Sequence, residues 1–187
     1  MRFIYLLVAT LVLSGCAAKP LAPDHYYRVS TDRIDRADSG VPVVLRRIET
    51  PGVLGGRALL VGTQVDPLVI QEVRGHLWAS PPNAWLTDLL LTRGMTDIQL
   101  VTESLPTRAE RTLMLALTDL FINPADSAVV VGLSGMLKGA SASQAVRCRS
   151  TQQMQSASTV EAGAVAAFES ALDACFADLD RQVTALL

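Results

Sequence analysis

The second half of the chain carries the clearest hydrophobic pattern. Over residues 112–122, apolar Leu113, Leu115, Leu117 and Phe121 recur with the period of two that places side chains on one face of a strand. Asn123-Pro124-Ala125-Asp126-Ser127 has turn chemistry, and residues 128–137 resume the alternation with Val129, Val131, Leu133 and Leu137. A second turn over 139–143 leads into residues 144–154, where Val146 and Cys148 share a side. The pattern predicts a three-stranded antiparallel meander. Beyond it the period changes: Val165, Phe168, Leu172, Cys175, Phe176, Leu179, Val183 and Leu186 repeat at three and four, behind a capping box in Ser158-Thr159-Val160-Glu161. A long helix is expected there, with Cys175 facing the sheet.

The first half reads as shorter pieces. Residues 25–29 (His-Tyr-Tyr-Arg-Val) are rich in strand formers, and 31–40 form a polar loop. A second strand is expected over 41–49, ended by Pro51, Gly52, Gly55 and Gly56; two more over 57–61 and 68–73, separated by a turn over 62–67, lead into Arg74-Gly75-His76-Leu77-Trp78. A helix then follows. Pro81 and Pro82 sit where a helix start tolerates them, Asn83 is the capping candidate, Trp85, Leu86, Leu89 and Leu90 form the apolar stripe, and Gly94 is the stop. Residues 98–101 are a short strand. The element order predicts an α/β fold of the α+β kind: a mixed, largely antiparallel sheet packed against two main helices in a single domain.

The N-terminus changes the picture by giving the chain an address. Arg2 precedes an apolar run over residues 3–13 broken only by Thr10, which is the anatomy of a secretory signal peptide. Eleven residues span about 17 Å as a helix, too short for a bilayer core of about 30 Å. The run ends in Leu13-Ser14-Gly15-Cys16, which reads as a lipobox; the alternative is an ordinary cleavage site with Cys16 a chance cysteine. In the lipobox reading residues 1–15 are removed, and Cys16 becomes the first residue and carries several acyl chains, enough for stable anchoring where one chain is marginal. Residues 16–24, with Pro20 and Pro23, form an extended tether, and 25–187 form the folded domain.

Charge narrows the partners. Sixteen basic and 18 acidic residues give a net charge of −2, and Lys19 and Lys138 are the only lysines. Nucleic acid is excluded as a natural partner, because a phosphate backbone asks for a basic stripe. Half of the residues are hydrophobic, which fits a large core or a surface that meets a partner.

Cys148 and Cys175 remain once Cys16 is assigned to lipid. In an oxidising compartment an even pair invites a disulfide, worth about 3 to 4 kcal/mol for a loop of this length; the alternative is two buried free thiols.

Little else carries chemistry. His25 and His76 have no metal-ligand spacing, so neither a metal site nor a cofactor is expected. Gly132-Leu133-Ser134-Gly135 departs from a nucleophile elbow, because Met136 stands where the motif needs glycine and the segment reads as mid-strand. Asp35 and Asp38 lie in a polar loop, and Trp78 and Trp85 read as core more readily than as a binding surface.

Taken in order, the lipobox, Tyr26-Tyr27 in a first strand, a strand into a Pro-Gly segment, Trp78-Ala79 ahead of an amphipathic helix, a meander and a final helix resemble the ABC-type transport auxiliary lipoproteins, the PqiC-like family. The resemblance covers nearly all of residues 16–187. It implies a non-catalytic, lipid-anchored lipoprotein of the outer membrane facing the periplasm, serving an MCE-type lipid transport system. Its partners would be an MCE-domain protein and an ABC permease and ATPase complex, and a homo-oligomer is compatible with it. Ala17 and Ala18 after the cysteine, with no Asp, fit release to the outer membrane. Two other readings stay open: a lipoprotein that carries lipid in its own groove between sheet and helices, and a periplasmic hydrolase.

Overall fold

The computed structural model describes residues 23–30, 40–63, 69–93, 95, 98–102, 110–140, 142–155 and 160–187. The lipobox, most of the tether, the loop with Asp35 and Asp38, Gly94 and the capping residues Ser158 and Thr159 lie outside them. The strands are β1 (His25–Tyr27), β2 (Val41–Leu45), β3 (Ala58–Gly62), β4 (Ile70–Trp78), β5 (Ile98–Thr102), β6 (Thr112–Asn123), β7 (Ala128–Lys138) and β8 (Ser143–Gln153). The helices are α1 (Pro82–Arg93) and α2 (Val160–Ala185), and a single 3-10 turn occupies Gly52–Gly55.

All eight strands join one mixed sheet, packed against the two helices as the hydrophobic pattern predicts. Its hub is β6. Along one side β6 pairs antiparallel with the whole of β7, which pairs in turn with β8. Along the other side two strands share it in parallel: β2 at Thr112 and Leu113, and β3 at Ile122. From β3 the sheet continues through antiparallel β4 to parallel β1, and from β2 to parallel β5. The long antiparallel ladders carry most of the registered pairs; four short parallel ones extend the sheet.

The meander departs from simple alternation at one place. Leu113, Leu115 and Leu117 face the helices, but the register slips between Leu117 and Asp119, leaving Thr118 as an extra residue. Past this bulge Leu120 and Ile122, not Phe121, continue the helix-facing row, while Phe121 pairs with Val130 on the opposite face. All three are buried. Opposite the bulge stands Gly132, where a Cβ would overlap the side chains of Thr118 and Asp119.

Two strands of the first half also differ from expectation. Residues 70–78 form one nine-residue strand instead of a short strand and a lead-in. The strand survives Gly75 because Gly75 takes φ +75° and absorbs a shift in register against β3. The expected strand over 41–49 stops at Leu45 as a ladder, though the chain goes on along β6: Arg46 and Glu49 donate their amides to the Leu113 and Leu115 carbonyls at 3.0 and 2.9 Å. Three steps on one chain match two on the other, so Arg47 and Ile48 bulge and Ile48 turns into the core. Its amide donates to Thr87 Oγ1 of α1 at 3.2 Å, and that hydroxyl donates to the Asn83 carbonyl at 2.7 Å.

Helix α1 buries Trp85, Leu86, Leu89 and Leu90, as the stripe predicts. Asn83 is not its cap. The first turn closes on the Pro81 carbonyl, which accepts from the Ala84 amide at 3.0 Å, and Asn83 sits inside the helix with Oδ1 buried and without a partner. Helix α2 lies across β7 and β8, burying Phe168, Leu172, Cys175, Phe176, Leu179 and Val183 together with Ala164, Ala167 and Ala171. The alanines let the helix approach the sheet closely. Trp78 ends β4 at the junction of the two helices, its ring 5.3 Å from that of Trp85 and 5.5 Å, edge-on, from that of Phe168. Both tryptophans are core. Among the described residues no polar or charged residue is fully buried.

Candidate functional site

The first described residues are fastened to the body of the fold from three directions. β1 has only three residues, paired in register with His76, Leu77 and Trp78. The Tyr27 carbonyl accepts from the Ala79 amide at 2.7 Å, and Val29 is buried. Ser30 completes the clamp: its amide donates to Glu169 Oε1 of α2 at 2.6 Å, while its carbonyl accepts from Arg93 of α1 at 2.9 Å. Arg93 in turn pairs with Asp173 of α2. A segment that enters along the sheet edge is thus held by β4 and by both helices.

The two histidines, far apart in the sequence, meet at this edge. His25 lies directly opposite His76 with ring centroids 5.2 Å apart, and the Tyr27 hydroxyl lies 2.8 Å from His76 Nδ1. Sequence reasoning gives no signal for the encounter, since it comes from the parallel pairing of β1 with β4. Among the described residues neither histidine bonds a serine or a cysteine, and no group of three or more His, Cys, Asp or Glu side chains is placed to hold a metal ion. Ser134 stands in mid-β7, paired with Ala116 and Arg147.

Cys148 of β8 and Cys175 of α2 face each other across the sheet–helix boundary, both buried, with Cα atoms 5.3 Å apart and their sulfurs bonded. The long helix is stapled to the last strand.

The opposite face of the sheet is more open. There Met114 pairs with Met136 and Ala116 with Ser134, and the Arg46–Glu49 segment runs alongside. Together they line a groove of about 490 Å³, with Arg46, Arg47 and Lys138 at its margins and Glu49 as its one carboxylate. Met136 is 41% exposed. Sequence reasoning missed this groove, because its cations and methionines come from three separate stretches. Among the described residues no helix is long and apolar enough to cross a membrane.

Comparison with known proteins agrees with this architecture. A crystal structure of an uncharacterized protein superposes with a TM-score of 0.66 at 17% identity, covering 87% of this chain and 99% of its own. A crystal structure of a Xanthomonas campestris protein of the DUF330 family gives 0.61 at 18% identity, covering 87% of this chain and all of its own. These likenesses speak for the fold. No curated protein sequence matches the chain. The model of one family, described as the ABC-type transport auxiliary lipoprotein component, matches residues 29–179, and the chain belongs to that family.

Proposed function

We propose that the protein is a periplasm-facing lipoprotein of the outer membrane that docks an MCE/ABC-type intermembrane lipid transport assembly to that membrane. The observation that carries this reading is the clamp on residues 25–30 in a member of a transport auxiliary lipoprotein family. A lipid on Cys16 fixes one end, residues 16–24 form a spacer of at most about 30 Å, and the clamp passes any load on that spacer to β4, α1 and α2. Such a device transmits position. It needs no catalytic group, and the role of the protein is mechanical. The partners are an MCE-domain protein together with an ABC permease and its ATPase.

The test is complementation by Cys16→Ala exported through an ordinary signal peptide. The soluble domain is expected to fold and to fail to restore the outer-membrane permeability barrier in a deletion strain. Full restoration by the soluble form would overturn the docking role.

A further inference from the structure

The groove on the open face of the sheet joins an apolar floor to cationic margins. Its floor is the β6–β7 ladder, where Met114 and Met136 lie side by side in register. Methionine is an unbranched, polarizable side chain that adapts to apolar ligands of variable shape. Its margins carry Arg46, Arg47 and Lys138 against the single carboxylate of Glu49, in a protein whose net charge is −2. Lys138 is one of only two lysines in the chain. Among the described residues, no carboxylate pairs with Arg47 or Lys138. The helix-facing side of the same sheet is filled by the core.

An apolar floor with a cationic margin is complementary to a molecule that is anionic at one end and apolar at the other. We propose that this groove binds an anionic phospholipid, with the phosphodiester against Arg47 and Lys138 and the first part of one acyl chain on Met114, Ala116 and Met136. A volume of about 490 Å³ lies in the range of small-molecule sites, about 300 to 1,000 Å³, and admits a headgroup with part of one chain. The rest of the lipid stays outside. Guanidinium suits the phosphate end because its planar fork engages two oxygens at once. The lipid-bearing groove therefore lies on the face of the sheet away from the helices. This inference deepens the proposed function by naming a ligand, and it rests on that reading for the encounter with membrane lipid. Its test needs no transport partner, so the two can fail separately.

The experiment is titration of the full-length folded domain with dihexanoyl phosphatidylglycerol below its micelle concentration, followed by intrinsic fluorescence and calorimetry. Parallel arms use dihexanoyl phosphatidylcholine and glycerol phosphate. Phosphatidylglycerol is expected to bind more tightly than either, and Arg47→Glu with Lys138→Glu to weaken it by about tenfold or more, the factor for one charge-assisted hydrogen bond. Met136→Asn, which removes apolar floor without adding charge, should weaken phosphatidylglycerol and leave glycerol phosphate unchanged. Arg181→Glu, an exposed cation on α2, should have no effect. Glycerol phosphate binding as tightly as phosphatidylglycerol would reduce the groove to a phosphate site and overturn the proposal. So would undiminished binding by the charge-reversed variant with an unchanged circular dichroism spectrum.

Discussion

Gln182 of α2 reaches over the outer edge of β8 and bonds both backbone groups of Arg147: its Nε2 donates to the carbonyl at 2.7 Å and its Oε1 accepts from the amide at 3.1 Å. A carboxamide offers the same donor and acceptor pair as a peptide group, so Gln182 acts as one residue of a missing neighbouring strand. Among the described residues β8 pairs with β7 alone, and an edge of eleven residues is a template for strand addition unless it is blocked. Asp178, whose Oδ2 accepts from Gln182 Nε2 at 3.0 Å, holds the side chain in place.

Replacing Gln182 with Ala is expected to lower stability by about 1 kcal/mol, the net worth of an ordinary hydrogen bond or two at a partly exposed site. It should also promote self-association through β8. Urea unfolding measures the first effect and sedimentation velocity the second; a variant that stays as monodisperse as the parent would show that the edge is guarded by other means.

The pairing of Cys148 with Cys175 sets a second expectation. Closing a 27-residue separation, the bond should contribute about 3 to 4 kcal/mol, chiefly by restricting the unfolded chain. The Cys148→Ala, Cys175→Ala variant is therefore predicted to unfold at markedly lower urea concentration. In the parent, the two thiols should resist alkylation in denaturant until a reductant is added. Alkylation of both without reduction would show that they are free.

Gly132 has little room for a side chain. A Cβ there meets the side chains of Thr118 and Asp119 at the β6 bulge, so Gly132→Val is expected to cost about 1 to 3 kcal/mol through forced displacement. Gly139, where the nearest atom to a Cβ lies 3.6 Å away, is the matched control, and Gly139→Ala should change stability little. Equal effects at both sites, read by thermal unfolding, would contradict the crowding at the bulge.

These cases show what the amino-acid pattern encodes and what it does not. The meander and the apolar stripes of α1 and α2 are legible because each is a local period of two or of three to four. Phe121 is misplaced by that logic, since the extra residue at Thr118 inverts the alternation and only pairing with β7 reveals it. The same holds for Arg47 and Ile48, whose bulge is set by β6, and for Gly75, which lies beyond the expected strand 68–73 and instead sits inside β4 at a shift in register. The meeting of His25 with His76, the clamp of Ser30 by Arg93 and Glu169, and the groove on the open face all depend on parallel or distant pairings. No local period carries them.

The clamp itself predicts a local effect. Glu169→Ala removes the acceptor of the Ser30 amide, which should raise its hydrogen-exchange rate by about fivefold to tenfold while core amides of β6 and β7 keep their protection. Uniform acceleration across the sheet would mean that residues 25–30 open only with the whole domain.

The proposed role is membrane-anchored docking of a lipid transport assembly. It is tested most directly by affinity capture of the acylated, full-length chain from detergent-solubilised envelopes, followed by mass spectrometry of what co-purifies. The account predicts an MCE-domain protein and components of its ABC transporter with the anchored chain. Capture of the acylated chain from the outer membrane with none of these components would contradict it.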